Sequence, residues 1–167
     1  MVDKTRLYLS EMGVDIFWFR TKPITNHGSD DNLSIIEKNV EDCKKCSLHK
    51  IRDNIVFGDG DSSADLMIIG EAPGREEDKA GKPFIGRAGK LLNSFLSSIN
   101  LDRESIFITN TVKCRPPENR NPSEAEIQSC SGFLDRQIDI IKPKAVSYTH
   151  LRAHETRGNL VCRLLLE

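Results

Sequence analysis

Hydrophobic residues in the middle of the chain change from helical spacing to continuous runs. Leu33, Ile36 and Val40 recur every three or four positions, which is the spacing of one face of a helix. Residues 65–70 and 105–110 are short apolar runs that end in Gly and Asn, as buried parallel strands do. The pattern therefore predicts an amphipathic helix followed by two buried strands.

Two further helices and a third strand complete the predicted alternation. Residues 89–99 form an apolar-periodic segment between the two strands, and Ser123 with Glu126 makes a capping box that starts a helix ending near Ile141. Residues 144–148 then begin like a strand. This order predicts an α/β fold with three layers, α/β/α, around a central, mostly parallel sheet. Binding sites in such folds lie beyond the carboxyl ends of the strands.

Length and composition fit one domain with an N-terminal extension. The chain has 167 residues, and we expect a helical extension and linker over residues 1–31 and the main domain over residues 32–146. Charges nearly cancel, with 24 Lys+Arg and 25 Asp+Glu, which excludes a polybasic arm but not a local basic patch. We expect a cytoplasmic protein without membrane contact, because no apolar run reaches the ~18 residues of a membrane helix.

Four of the five cysteines have a spacing that indicates a metal or cluster site. Cys43 and Cys46 form a C-x-x-C, Cys114 follows the second strand, and Cys130 lies on the apolar stripe of the capped helix. Four thiolates from three elements could bind one iron–sulfur cluster or one zinc ion, which spacing does not separate. The alternative is a redox C-x-x-C with two ordinary buried cysteines.

Two loops follow the predicted strand ends. Residues 70–89 are rich in glycine but contain neither a P-loop nor a dinucleotide motif, so those nucleotide sites are disfavoured, and simple turn formation is an equal alternative. Residues 110–122 carry a local positive charge on a proline-stiffened loop, which predicts DNA phosphate contacts. A solvated loop is the commoner reading of such a charge group. The predicted DNA-contacting residues are Lys113, Arg115 and Arg120.

Several linked motifs resemble the family 4 uracil-DNA glycosylases, the iron–sulfur type of the uracil-DNA glycosylase superfamily. These motifs are CKKC (43–46), GEAPGREED (70–78), GKPFIGRAG (81–89), NTVKCRPPENRNP (110–122) and Cys130. The resemblance implies a monomeric DNA repair enzyme that hydrolyses the N-glycosidic bond of uracil in DNA, releasing uracil and leaving an abasic site. It also implies that a [4Fe–4S] cluster is bound by Cys43, Cys46, Cys114 and Cys130.

The same resemblance assigns roles to residues of the two loops. Phe84 is expected to stack on the extruded base, and Asn110 to read uracil through its amide and take part in catalysis. Glu71 is expected to have a catalytic role at the water site. Ala72, Gly74 and Glu77 are expected to contribute to substrate binding, with Asp78 as an alternative to Glu77.

The chain departs from the family in its last part. The family's His-Pro-Ser motif, whose histidine donates to uracil O2, is absent, and residues 147–167 resemble translated adapter sequence. We therefore expect residues 147–167 to be non-native, with no ligand role for Cys162, and this chain to lack the second half of the site. The functional alternative is a non-catalytic iron–sulfur or zinc module that binds nucleic acid; a thiol redox protein is a weaker one.

Overall fold

One sheet organises the described residues. The structure is a computed structural model that describes residues 32–148 and the strand Val161–Leu164, all within the compact unit Asp31–Glu167. In this part of the chain the strand order is β1-β3-β2-β4-β5, with β3, β2 and β4 parallel and both edge strands antiparallel to their neighbours. The strands are β1 (Asp59–Gly60), β2 (Leu66–Gly70), β3 (Phe107–Asn110), β4 (Ala145–Tyr148) and β5 (Val161–Leu164).

Helices pack on both faces of this sheet. On one face Met67 and Ile69 of β2 share an apolar cluster with Leu134, and on the other Ile68 packs with Leu96. Successive strand residues point to opposite faces, so β2 lies between two helical layers. The α/β/α arrangement with a mostly parallel sheet is confirmed. The described helices are α1 (Leu33–Glu41), α2 (Arg75–Ala80), α3 (Arg87–Ser98), which carries Leu96, and α4 (Glu124–Ile141), which carries Leu134.

Helix α1 packs against α4 outside the sheet. Ile36 and Val40 are fully buried and form an apolar cluster with Phe133 of α4 and Phe57. The predicted inward face of α1 is therefore confirmed, with Leu33 half-buried at its edge.

Most predicted elements occur within two residues of their expected bounds, and three short elements were not predicted. Strand β3 starts at Phe107, because Arg103–Ser105 forms a 3-10 turn before it. Helix α2 and strand β1 were not predicted, because neither is long enough to show hydrophobic periodicity. Strand β5 lies within residues 147–167, whose non-native origin stays a prediction. The proposed extension and linker, residues 1–31, lie outside the described residues.

None of the helices in the described ranges is both long and apolar enough to cross a bilayer.

The capping box at the start of α4 includes an ion pair. The Glu126 backbone N–H donates to Ser123 Oγ at 3.3 Å, and Glu126 Oε2 accepts from the Ser123 backbone N–H at 2.7 Å. Arg120 donates to both carboxylate oxygens of Glu126, at 2.8 and 2.9 Å. Chiefly through this Arg120 contact, the pKa of Glu126 is lowered from 4.5 to about 2.

Neutralising Glu126 is expected to weaken folding in a pH-dependent way. The native carboxylate has the lower pKa, so its stabilisation is present above pH 4.5 and is lost as the pH falls toward 2. Glu126→Gln should lower the free energy of unfolding at pH 7 by about 1–2 kcal/mol, allowing for the half-exposed Arg120. The difference from the unsubstituted protein should shrink below pH 4.5.

Urea unfolding between pH 7 and 2.5 measures this effect, with the exposed Glu37→Gln on α1 as the matched control. A pH-independent difference between the Glu126 variant and the unsubstituted protein would contradict the assigned role of the carboxylate.

Candidate functional site

The ends of β2 and β3 bring an amide and an aromatic ring together. Gly70 and Asn110 are register partners in the parallel pair, and Thr111 N–H donates to the Gly70 carbonyl at 2.8 Å. A Cβ at Gly70 would lie 2.3 Å from Asn110 Oδ1 and 2.7 Å from Phe84 Cε2. The Asn110 amide and the Phe84 ring therefore adjoin one another beside Gly70, where only a hydrogen leaves space for both.

The backbone that carries Phe84 is held in an uncommon conformation. Phe84 has a φ of 52°, in the left-handed region. Arg103 donates to the carbonyls of Pro83 at 2.6 Å and Phe84 at 3.1 Å. The start of α3 approaches so closely that a Cβ at Gly89 would lie 1.7 Å from the Phe84 oxygen. These contacts hold the Phe84 backbone in place and thereby set the position of its ring.

Glu77 holds the other side of the same loop. Its Oε1 accepts from the N–H groups of Ile85 at 3.1 Å and Gly86 at 2.8 Å. Its Oε2 would lie 2.6 Å from a Cβ at Gly74, so the glycine lets the carboxylate approach the chain. The predicted substrate-binding Glu77 is thus bonded to the backbone that follows Phe84.

The other predicted pocket residues lie on the loop after β2. Glu71 and Ala72 are half-buried directly beyond the strand end, and the Glu71 carbonyl accepts from Val112 N–H at 3.3 Å. Gly74 precedes α2 as its N-cap. The alternative acid, Asp78, is fully buried, and its Oδ1 accepts from the Asp53 backbone N–H at 3.1 Å. This contact is structural, and the buried carboxylate is not exposed to a bound nucleobase.

The four predicted ligand cysteines come from three parts of the chain, near α1, in the loop after β3 and on α4. Cys43 lies two residues after α1, and Cys46 caps a 3-10 turn at Ser47–Lys50. Cys114 is buried in the loop after β3, and Cys130 lies within α4. Cys43 and Cys130 both pack on the apolar cluster that joins the two helices.

The thiols are close enough to influence one another electrostatically. Burial raises the pKa of the Cys114 thiol, with smaller raising contributions from Cys43 and Cys46. Burial also raises the pKa of the Cys130 thiol, and Cys114 and Cys43 add to that shift. Arg52 donates to Cys114 Sγ at 3.2 Å. Among the residues described, no group of three His, Cys, Asp or Glu is placed to hold a single metal ion.

The donor set nevertheless fits an iron–sulfur cluster. All four side chains are thiols, the ligand type that such clusters require, and all four are free. In a [4Fe–4S] cluster each thiolate binds a different iron, so its ligands stand further apart than the ~3.8 Å between sulfurs on one tetrahedral zinc.

The prediction that Lys113 contacts DNA is wrong. Its side chain is 0 % exposed, and its ammonium donates to Thr109 Oγ1 at 2.6 Å, to the Asn110 carbonyl at 2.8 Å and to Gln137 Oε1 at 2.6 Å. Burial lowers the pKa of Lys113 to about 7, and the Cys130 charge opposes that shift. The run of charges in the sequence suggested a surface loop, but the chain turns inward after Asn110.

The other two basic residues of this loop remain near the surface. Arg115 is half-buried and donates to Asn119 Oδ1 at 2.7 Å. The Arg120 side chain is 45 % exposed while it pairs with Glu126. Both keep part of their positive charge accessible, and their DNA contacts stay a prediction.

Two residues that support the site were missed in the sequence. Arg103 gave no signal, because its contacts with the Phe84 loop are to backbone carbonyls 19 and 20 residues away. Gln137 did give one: it lies three residues after Leu134 and four before Ile141, so it is a polar residue on an apolar helix stripe. Such a residue indicates a buried polar network.

The model of the uracil DNA glycosylase superfamily matches residues 57–157, which include β2, β3 and both loops of this site. The chain belongs to the uracil-DNA glycosylase superfamily. Five type-4 uracil-DNA glycosylases are 44–55% identical to it.

Three of these type-4 relatives show how far the similarity extends. The protein of Sulfurisphaera tokodaii is 52% identical over 76% of this chain and 57% of its own length. The protein of Saccharolobus solfataricus is 55% identical over 70% of this chain and 54% of its own length, and that of Archaeoglobus fulgidus is 47% identical over 70% and 58%. The matched part of the chain spans little more than half of the length of these glycosylases.

Proposed function

We propose that the complete protein containing this chain excises uracil from DNA. The observation that carries the proposal is the Asn110 amide beside the Phe84 ring at the ends of two adjacent parallel strands. The type-4 glycosylase relatives support it, and the α/β/α fold puts this pair where such folds bind ligands.

The two side chains divide recognition between them. A base must leave the DNA stack before its glycosidic bond can be cut, and a flat ring such as Phe84 supplies a stacking surface for any base. The Asn110 amide offers one donor and one acceptor, which match uracil O4 and N3–H, whereas cytosine presents the opposite pattern. Since Asn110 is only 2 % exposed, a mismatched base would leave buried polar groups unpaired.

The reaction is hydrolysis. The oxygen of a water bonds to C1′ of the deoxyribose, the C1′–N1 bond breaks, and its electron pair leaves with uracil, which gains the proton that the water gives up. Glu71 is assigned to the water site, because it follows β2 directly beside the Asn110 strand end. Ala72 and Gly74 lie on the loop after β2, and Glu77 acts by holding the backbone of Ile85 and Gly86, which follows Phe84.

The proposed [4Fe–4S] cluster would be bound by Cys43, Cys46, Cys114 and Cys130. When bound it supplies a cross-link between α1, the loop after β3 and α4, and no redox step is needed for hydrolysis. Arg52 beside Cys114 and Lys113 near Cys130 provide positive charge against the thiolates. The cross-link would hold the loop that begins at Asn110.

The partner, the location and the domain limits belong to the same proposal. The protein acts as a monomer on uracil-containing DNA in the cytoplasm, where the four free cysteines would stay reduced. Arg115 and Arg120 contact the phosphates. Residues 32–146 are the part of the native domain that this chain contains, residues 1–31 are an extension, and residues 147–167 are foreign to the domain.

A glycine substitution provides the test in the complete protein. Gly70→Ala places a methyl group within 2.8 Å of both the Asn110 amide and the Phe84 ring, so one of them must move. We expect the unsubstituted protein to release uracil from a uracil-containing oligonucleotide, and Gly70→Ala to lower the single-turnover rate ~100-fold, as misplacement of reacting groups does.

Gly132→Ala on α4 is the matched control, because a Cβ at Gly132 meets nothing within 4 Å and should leave the rate within about twofold. Circular dichroism checks that both variants fold. Equal rates in the unsubstituted protein and folded Gly70→Ala would contradict the site. If the protein has the brown colour of an iron–sulfur cluster and binds DNA but releases no uracil, the non-catalytic binding module would be favoured instead.

A further inference from the structure

A lysine inside the protein connects the proposed uracil-reading residue to the cysteine-bearing helix. Lys113 is fully buried, and its three N–H groups have three acceptors, which is the full donor capacity of an ammonium. Burying an ammonium is costly unless every donor is paired. A methionine would fill similar space without that cost, so packing alone does not account for a lysine at this position.

The acceptors lie at both ends of the site. One is the backbone carbonyl of Asn110, one is Thr109 Oγ1 on the same strand, and one is Gln137 Oε1 on α4. Thr109 Oγ1 itself donates to the Phe57 carbonyl at 2.7 Å, and Gln137 Nε2 donates to the same carbonyl at 3.0 Å. The network therefore joins the last two residues of β3 to α4.

The position of Lys113 in the chain strengthens this connection. It precedes Cys114, and its own carbonyl accepts from Val56 N–H at 2.8 Å. The backbone N–H of Lys113 lies near enough to Cys130 to donate a hydrogen bond to that thiol. A shift of the cysteine-bearing loop or helix would thus be passed to the Asn110 backbone through one side chain.

We propose that Lys113 is a positioning residue for uracil excision: its buried ammonium donates to the Asn110 carbonyl and so fixes the strand end that presents the Asn110 amide. This role rests on the proposed function of Asn110. It differs from general stabilisation, because, of the three Lys113 bonds, the one to the Asn110 carbonyl acts on the residue that reads the base.

Two buried substitutions separate positioning from stability in the complete protein. Lys113→Met removes the donor from the Asn110 carbonyl, whereas Gln137→Met removes an equally buried member of the network but leaves that bond. Lys113→Gln keeps a neutral donor on a shorter side chain and serves as the second variant if Lys113→Met does not fold. Thermal unfolding gives the stability of each.

Excision rates provide the first measurement. We expect Lys113→Met to lower the single-turnover rate roughly 10- to 100-fold with little change in DNA affinity, Lys113→Gln to fall between, and Gln137→Met to stay within about threefold. In an Asn110→Ala background the Lys113 substitutions should lower the remaining rate less than about threefold, because the residue that they position is gone. Equal losses from Lys113 and Gln137 variants of equal stability would overturn the proposal.

Hydrogen exchange provides a measurement that does not depend on activity. Backbone amides of residues 109–112 should exchange at least about tenfold faster in the Lys113 variants than in Gln137→Met, because the strand end loses its anchor. Unchanged exchange in this segment would also overturn the proposal. A protein without any uracil excision would refute the proposed function, while the exchange result would still decide whether Lys113 holds the strand end.

Discussion

Asn110→Ala is expected to lower the rate of uracil excision by the complete protein about 10³-fold, the largest effect of any substitution in the site. The substitution removes both the donor and the acceptor that distinguish uracil from cytosine, and it leaves the Phe84 ring without its polar neighbour. Affinity for DNA should change little, because stacking and phosphate contacts are retained. Single-turnover release of uracil from an oligonucleotide, with binding measured separately, tests this.

Asn39→Ala, an exposed substitution on α1, is the matched control and should retain the full rate. Because Asn110 is buried, the unfolding temperature of each variant must also be compared. A folded Asn110→Ala protein with more than about a third of the normal rate would refute the role of the amide, since uracil would then be recognised without it.

Cys114→Ala is expected to abolish the iron–sulfur cluster and to lower the unfolding temperature by roughly 10–20 °C. Cys114 is the buried member of the proposed ligand set and lies on the loop that also carries Lys113. Without the cluster, that loop is no longer joined to α1 and α4. Protein purified without oxygen should be brown, with about four irons per chain, and the variant should be colourless.

Cys162→Ala of the 167-residue chain is the control, because Cys162 lies outside the proposed ligand set and should leave colour and iron content unchanged. Metal analysis distinguishes the alternatives directly. A colourless unsubstituted protein that contains one zinc would refute the iron–sulfur assignment, and one that contains neither metal would favour the thiol redox reading of Cys43 and Cys46.

Much of the sheet and its main helices could be predicted because each element carries its own signal. The run ending at Gly70 has the continuous hydrophobicity of a strand buried on both faces. In the structure β2 is buried in this way, with α3 packed on one face and α4 on the other. Ser123 and Glu126 make the predicted capping box with both hydrogen bonds. Helix α2 was missed because six residues between glycines show no periodic face.

The candidate site was predictable in part. That the two loops after β2 and β3 would meet follows from parallel pairing of their strands; Phe84 lies in the first loop, and Asn110 is the last residue before the second. The supporting contacts were not predictable. Arg103 and Glu77 bond to backbone atoms of the Phe84 loop, and a backbone acceptor has no residue type that a sequence could reveal.

The sequence by itself determined the α/β alternation and the superfamily, because hydrophobic periodicity and motif spacing are local properties of the chain. Only the tertiary structure decided the place of Lys113. A lysine in a basic loop is solvated in most proteins, and nothing local shows that three acceptors from β3 and α4 converge on it. Burial of the Lys113 charge depends on how β3 and α4 pack around it, including Gln137 from 24 residues away, so folding turned a predicted DNA contact into an internal support of the site.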